Sequence, residues 1–516
     1  MRVGDFLTLA ERQYGDRAAV VYEGASLTYA ELQHRSRALA QGLLELADPG
    51  DRVAILANNC PEYVEAVFGV PTARQMLTFV NPRLAASEIL HVLEHSGARV
   101  VIVEPPLLGL VSEIRERLPA LEHVVVLGGV APERTVAYET VVAAGEQATA
   151  DVSGASSDEV AWLIYTSGTT GRPKGAMLTH QNLFASVANT LMSVQPERHA
   201  THLMPFPMAH VTAHLCLAWA AKGITLVLQP SFDPESFVRA IEEYGAAGSP
   251  IAPVMLSLIL QRPELERYDV SSMRKLFYGS SAIAPDLLRR SMARFANADF
   301  YQSFGMTELA GTAGWLDPEQ HRLGAGGQPG LLSAIGRPAP LAAFRVVDDD
   351  LHDVAPGAVG ELAIRGDQVT AGYWRDDAAT QAAIVDGWLR TGDLATVDAD
   401  GIYAIVDRKK DMILTGGENV YSREVEDALA DLPGLAEVAV IGLPDPVWGE
   451  NVCAVIVPLR DATITAEGVI AHCRSRLASY KKPKSVHVVP ALPRNATGKV
   501  LKHRLRQDLS SADRLS

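Results

Sequence analysis

The sequence predicts an α/β protein: a large N-terminal domain of layered, largely parallel sheets ending in a small antiparallel, barrel-like unit, then a small α+β C-terminal domain. Three observations carry that expectation. Short apolar runs alternate with helix-period segments from about residue 50 to 305, the texture changes to short strands and turns after a Gly/Pro-rich stretch at Gly324–Pro340, and the charge balance reverses near Arg408.

The first strand signals are Val53–Leu56, Arg99–Val103, His123–Leu127 and Val160–Tyr165, followed by Ile224–Leu228, Lys275–Tyr278 and Asp299–Gln302. Short, mostly apolar runs of this kind suit strands covered on both faces, as in parallel sheets. Between them, Gln181–Ser193 places Leu183, Phe184, Val187, Ala188, Leu191 and Met192 on one helical stripe. The antiparallel unit is read from Phe344–Val347, Gly360–Arg365 and the Asp400-Gly401 turn between Leu394–Val397 and Tyr403–Val406. Beyond Asp407-Arg408-Lys409-Lys410 come a helix near Ser422–Ala430, strands at Val438–Ile441 and Cys453–Val457, a helix at Ala466–Leu477 and a last strand at Ser485–Val489. The expected domains are 1–407, with the antiparallel subdomain at about 336–407, and 408–516.

Composition bounds the function. Apolar residues make up 48% and charged residues 21%, as in globular proteins rather than disordered or fibrous ones. The net charge of −15 argues against nucleic-acid binding. That charge is uneven: from Arg408 onward 16 Lys+Arg face 13 Asp+Glu, which leaves 30 against 48 before it. A basic module therefore follows an acidic one. The N-terminus lacks an apolar core followed by a cleavage site, and no run approaches the roughly 18 apolar residues of a membrane span. A cytoplasmic protein is expected, with at most weak peripheral membrane contact. Cys60, Cys216, Cys453 and Cys473 stand singly without ligand spacing, which reads as reduced thiols. Nothing in the sequence sets the oligomeric state.

The most informative segment is Tyr165-Thr-Ser-Gly-Thr-Thr-Gly-Arg-Pro-Lys-Gly175, directly after an apolar strand. Its glycines let backbone N–H groups approach an anion, its hydroxyls donate hydrogen bonds, and Lys174 adds charge, so it suits a polyphosphate. It is not a Walker A loop, because no GxxxxGK[ST] spacing occurs. Further on come Pro207-Met-Ala-His210, Tyr301-Gln-Ser-Phe-Gly-Met-Thr-Glu308, Gly372-Tyr-Trp374 and Trp388-Leu-Arg-Thr-Gly-Asp393. Asp407-Arg-Lys-Lys-Asp-Met-Ile-Leu-Thr-Gly-Gly-Glu-Asn-Val420 and Pro493-Arg-Asn-Ala-Thr-Gly-Lys499 complete the series.

In this order, these segments resemble the adenylate-forming superfamily of acyl-CoA synthetases, firefly-type luciferases and peptide-synthetase adenylation domains, over roughly residues 25 to 505. The resemblance implies an AMP-forming acid–thiol ligase that uses ATP, Mg2+ and coenzyme A. It assigns nucleotide contacts to Thr166, Ser167, Gly168, Thr169, Thr170, Gly171 and Lys174, to Gly279, Ser280 and Ser281, and to Ser303, Phe304, Gly305 and Thr307. Asp393 would hold the ribose, Arg408 the ribose or phosphate, and Glu308 with Thr166 the metal. Lys499 would neutralise the α-phosphate, and His210 would gate or position the carboxylate. The resemblance further implies a mobile C-terminal domain pivoting at Lys410, which withdraws Lys499 and brings Gly416, Gly417 and Glu418 to the thiol.

The chemistry fits those roles. A carboxylic acid of pKa about 4 to 5 is already ionised at pH 7 and needs no base, so adenylation asks for positioning and charge neutralisation. His210 and His214 share the i, i+4 spacing of HExxH, but Val211 stands where its glutamate belongs, and no third ligand is evident. Phe232-Asp233 resembles an amino-acid-binding region yet begins a helix. Gly416-Gly417-Glu418-Asn419 and the cluster Tyr480–Lys484 look like the CoA-ligase branch. The segments His210–Leu215, Gly279–Ile283 and Leu309–Ala313 carry no obvious cation or acid for a second charged group. A hydrophobic monocarboxylate is expected as the small-molecule partner, medium or long fatty acids first, aryl and cinnamic acids second; a separate carrier protein is the alternative acceptor. Arg74, Phe79 and Ala209 depart from the residues more usual in relatives.

Overall fold

The computed structural model describes residues 1–128, 131–148, 154–166, 173–281, 283–460, 462–494 and 500–512. The chain divides into two compact units. The first holds Met1–Phe344 with Ile364–Leu389, and the second Arg345–Ala363 with Arg390–Ser516.

The first unit is layered α/β around two sheets. A seven-stranded sheet runs Val136–Ala137, His123–Val126, Val100–Val103, Arg52–Leu56, Met76–Val80, Val160–Thr166 and Lys174–Thr179, parallel until the last strand, which turns back antiparallel. A nine-stranded sheet runs Arg337–Pro338, Gly311–Leu316, Asp299–Met306, Lys275–Gly279, Gly248–Ile251, Thr201–Met204, Thr225–Leu228, Ala18–Tyr22 and Ala25–Thr28. Its centre is parallel and its outer pairs are antiparallel.

The strands signalled by apolar runs are present within one to four residues of the expected ends. Val100–Val103 is buried at every position, as a strand covered on both faces requires. The helix expected around Gln181–Ser193 spans His180–Val194, and its first turn is closed by Thr179, whose hydroxyl accepts from Asn182 N. That helix packs Leu183 and Val187 into the core shared with Trp162, Trp219 and Phe277.

The second unit carries short antiparallel strands and an α+β module. Trp388–Val397 pairs with Tyr403–Arg408 through the Asp400-Gly401 turn, Gly401 taking φ +75°. Its other sheet orders Glu418–Val420, Ile413–Thr415, Gly449–Pro458 and Leu435–Asp445, with Ser485–Val488 parallel to Gly449–Pro458. Ser422–Leu429 and Ala466–Arg474 bury Val425, Leu429, Val469 and Cys473 against it. No helix among the described residues is long and apolar enough to cross a membrane.

Candidate active site

In parallel α/β sheets, ligands meet the protein at the carboxyl ends of the strands. The candidate residues of the first unit lie there. Strand Val160–Thr166 ends at Thr166, and the returning strand starts at Lys174, so the two face each other as direct ladder partners. Ser167, Gly168, Thr169, Thr170 and Gly171, which join them in sequence, lie outside the described residues. Lys174 Nζ stands 3.8 Å from Asp376 Oδ2 and 5.3 Å over the ring of Tyr373.

Glu308 sits in a single 3-10 turn, Thr307–Leu309, immediately after strand Asp299–Met306, and is buried. Its Oε1 accepts from Tyr373 Oη at 2.9 Å and from Thr166 Oγ1 at 3.4 Å, and its backbone carbonyl accepts from Thr370 N at 2.8 Å. Burial, with the Glu308 charge adding to it, pushes the Tyr373 hydroxyl far up. Tyr373 therefore stays a donor. One carboxylate with a hydroxyl beside it fits Mg2+, which binds through one or two carboxylates and leaves its remaining positions to water and substrate phosphates. Among the described residues no cluster of three His, Cys, Asp or Glu offers a complete protein cage.

Beside this group the ends of two adjacent strands approach closely. Gly279 and Ser303 are ladder partners, and a Cβ on Gly279 would stand 2.4 Å from Ser303 Oγ. One on Gly305 would stand 2.0 Å from Gly311 O. Ser280 takes φ +69°, and Ser281 follows it. Phe304 meets Phe344 edge-on, with ring centroids 6.2 Å apart. The small residues open a cavity of about 130 Å³, lined by Gly279, Ser280, Ser303, Gly305, Gly311 and Thr312 on one side. Phe206, Trp219, Phe277 and Trp315 give it an aromatic lining, and Thr190, Val211 and His214 complete much of the wall.

His210 precedes that wall. Asn81 fixes its tautomer, because Asn81 Oδ1 accepts from Arg83 N at 2.9 Å and so turns Nδ2 toward His210 Nε2 at 3.2 Å. Nε2 accepts, and the ring proton belongs on Nδ1. Burial, with the Arg83 charge adding to it, pushes His210 down to about 4, so the imidazole is neutral at pH 7.

In the second unit Asp393 and Arg408 are ladder partners, and Arg408 Nε reaches Asp393 Oδ1 at 2.6 Å. Gly416 and Gly417, at φ +61° and +84°, turn the chain between Ile413–Thr415 and Glu418–Val420. A Cβ on Gly416 would strike Trp448 at 2.6 Å. Lys410 lies in a turn closed by Asp411 N donating to Arg408 O at 2.9 Å. Lys499 lies outside the described residues.

Three features escaped the sequence reading. Tyr373 was inside the Gly372-Tyr-Trp374 segment, but only the fold brings it to Glu308. Asn81 carried no signal of its own. The aromatic lining comes from Trp219, Phe277 and Trp315, and the last of these pairs with Ser303 across a ladder.

Residues 7–374 match the AMP-binding enzyme family, and residues 424–499 match the AMP-binding enzyme C-terminal domain. A feruloyl-CoA synthase of an Amycolatopsis species is 38% identical over 95% of both chains. A long-chain-fatty-acid–CoA ligase of Mycobacterium tuberculosis is 32% identical over 94% of this chain and 93% of its own. Among solved structures, an amide bond synthetase from Marinactinospora thermotolerans superimposes with a TM-score of 0.88 at 29% identity, covering 98% of this chain and 100% of that one. With polyphosphate-suited strand ends, a metal-capable carboxylate and these likenesses in hand, the chain belongs to the AMP-binding, adenylate-forming enzyme family, in its acyl-CoA synthetase branch, an acid–thiol ligase working with ATP, Mg2+ and coenzyme A.

Proposed function

We propose that the acid is aromatic, a benzoate- or cinnamate-type monocarboxylate. The observation that carries this reading is the cavity of about 130 Å³ lined by Phe206, Trp219, Phe277 and Trp315. An apolar cavity of roughly 150 Å³ holds one benzene ring, so this one has room for a ring. Aromatic walls favour edge and offset contacts with such a ring. The likeness to a feruloyl-CoA synthase supports the same class. The fatty acids ranked first from sequence alone take second place, because the small residues of the lining segments were legible there and the tryptophans behind them were not.

In the first half-reaction the carboxylate oxygen bonds to the α-phosphorus of ATP and pyrophosphate leaves. Neutral His210 positions the carboxylate, with Nδ1–H as the donor. Lys174, Thr166 and the Gly/Ser/Thr residues after it hold the triphosphate, Glu308 with Thr166 holds Mg2+, and Lys499 neutralises the charge that builds on the α-phosphate. Bound there, Mg2+ supplies charge neutralisation to the phosphate oxygens. Asp393 accepts from the ribose hydroxyls. In the second half-reaction the thiol of coenzyme A gives up its proton to water, its sulfur bonds to the acyl carbon, the bond from that carbon to the phosphate oxygen breaks and AMP leaves; the Gly416–Gly417 turn serves that step. The pivot between the two lies at Lys410, with 1–407 and 408–516 as the moving parts. A cytoplasmic setting suits four thiols not joined in disulfides.

The test is AMP release dependent on both ATP and coenzyme A across benzoate, cinnamate, indoleacetate, octanoate and palmitate. The aromatic acids should exceed the aliphatic ones at least tenfold in kcat/KM; the reverse order returns the assignment to fatty acids.

A further inference from the structure

Besides Thr212, Ser280, Ser303 and Thr312, the cavity wall carries a pair of polar side chains that meet each other. Helix His180–Val194 presents Thr190 to it, and helix His214–Ala220 presents His214. His214 Nδ1 lies 2.8 Å from the carbonyl oxygen of Val211, which can only accept, so Nδ1 carries the ring proton and Nε2 is left as an acceptor. The group offered to Nε2 is Thr190 Oγ1, at 3.4 Å. That is long for a hydroxyl donor, whose usual distance is about 2.7–2.8 Å. A lone pair on Nε2 and a rotatable hydroxyl thus stand side by side in a wall that also holds Trp219, Phe277 and Trp315.

A glycine leaves room at this corner. Gly311, at φ +139°, lies against it; a Cβ there would strike Ser186 Oγ at 2.7 Å and His214 Cε1 at 3.0 Å. Ser186, one turn before Thr190, is fully buried, and its Oγ has no hydrogen-bond partner among the described residues. Burial pushes His214 down to about 4, so it stays neutral through the physiological range.

We infer that Thr190 and His214 form a hydroxyl-recognition pair, which selects aryl acids bearing a ring hydroxyl over their unsubstituted analogues. The phenolic O–H donates to His214 Nε2, and the Thr190 hydroxyl rotates to donate to the phenolic oxygen. Donor and acceptor on the protein match donor and acceptor on the ligand, which a methylene or a bare ring edge cannot do. Sites built to hydrogen-bond a substrate hydroxyl discriminate against the analogue lacking it far more strongly than apolar pockets discriminate by size. Here the two residues retain their weak mutual bond when no hydroxyl arrives, so the preference is expected at roughly ten- to a hundredfold. The inference rests on the aromatic reading of the substrate.

The experiment measures kcat/KM for acid-dependent AMP release with cinnamate, 3-hydroxycinnamate, 4-hydroxycinnamate and octanoate, in the parent, Thr190→Val and Thr190→Ser. At least one hydroxylated acid should exceed cinnamate by tenfold or more in the parent; Thr190→Val should cut that ratio at least fivefold, and Thr190→Ser should keep it. The readout is a ratio between substrates in one preparation, so a general loss of folded enzyme does not imitate it. If Thr190→Val does not fold, His214→Leu takes its place with the same expected fall in the ratio. Equal use of hydroxylated and plain acids by the parent, or an unchanged ratio in the variant, overturns the pair while leaving the aromatic reading intact. Turnover of octanoate with none of the cinnamates overturns the aromatic reading and this inference with it.

Discussion

Tyr373 donates a 2.9 Å hydrogen bond to Oε1 of Glu308, the same oxygen that the Thr166 hydroxyl approaches at 3.4 Å. The tyrosine is held by its own strand-like contacts, a bridge to Ala176 and a bond from its N–H to Thr380 Oγ1 at 2.8 Å. On the proposed metal role of Glu308, Tyr373 would act through that carboxylate as a positioning residue. Partners that orient a metal-binding carboxylate typically contribute ten- to a hundredfold in metal affinity. Tyr373→Phe should therefore raise the Mg2+ concentration for half-maximal activity by about tenfold, with the KM for the acid little changed. Mn2+ binding to the enzyme with a non-hydrolysable ATP analogue, followed by electron paramagnetic resonance, should weaken in parallel. Unaltered Mg2+ dependence would assign the hydrogen bond to packing alone.

The buried histidines make stability pH-dependent in a defined direction. Burial, the largest cause in each case, pushes His180, His210 and His214 to about 4 and His202 to about 3. Below an ordinary histidine pKa of about 6.5 the unfolded chain takes up protons that the folded one refuses, so stability falls as pH drops from about 6.5 toward about 4. Each such histidine costs about 1.4 kcal/mol per pH unit within that window. The apparent Tm should drop by several degrees from pH 7.5 to 5.5, above the range in which most carboxylates titrate. His202, packed between Trp219 and Phe277 with its Nδ1 unsatisfied among the described residues, is the cleanest probe. In His202→Phe the drop should be shallower; an equally steep one would show that this histidine is protonated in the folded state.

The strand–helix alternation was legible because central strands such as Val100–Val103 and Thr225–Leu228 are short apolar runs buried at every position, and the runs needed no partner to be seen. Asp233 was also legible: it caps helix Pro234–Tyr244 by accepting from Ser236 N at 2.8 Å, which is the role its place before a helix suggested. The departures from the usual residues needed coordinates. Arg74 adopts φ +58°, a left-handed backbone that favours glycine, and its guanidinium bonds Glu159 at 2.9 Å. Phe79 lies inside a strand and packs edge-on to Trp162 at 5.2 Å, where proline would remove a ladder donor. Ala209 is buried. What sequence could not supply was adjacency across ladders and helices, as between Tyr373 and Glu308 or Thr190 and His214, which lie 65 and 24 positions apart.

Lys499 is assigned to the first half-reaction only, because negative charge accumulates on the α-phosphate while the carboxylate attacks it and has no counterpart in thiol attack on the acyl carbon. Lys499→Ala should depress acid-driven ATP–pyrophosphate exchange by at least a hundredfold, the order of one transition-state charge contact. Transfer of a chemically prepared acyl adenylate to coenzyme A should stay within a few fold of the parent. Equal loss in both half-reactions would reject the role.

Lys410 is the proposed pivot of the two-state mechanism. It sits inside the turn closed by Asp411 N on Arg408 O, its φ is not among the positive values of the described residues, and its own N–H donates to no backbone carbonyl among them. Lys409, beside it, is anchored by Asp349 at 2.6 Å and Glu361 at 3.1 Å, so a backbone rotation falls on the residue that side-chain contacts hold least. Proline fixes φ near −65° and dispenses with the N–H, neither of which conflicts with these two features of the turn. What it removes is the freedom to rotate, and hinges work by a large change at one or two such positions. Lys410→Pro should keep acid-driven ATP–pyrophosphate exchange within a few fold of the parent while acyl-CoA formation falls by orders of magnitude. Lys410→Ala is the control, since it removes the charge and leaves the backbone free, and it should retain both half-reactions. A proline variant that remains folded yet loses both in parallel, or keeps both, would move the pivot elsewhere in Asp407–Asp411 and remove the basis for assigning Lys499 and the Gly416–Gly417 turn to alternating states.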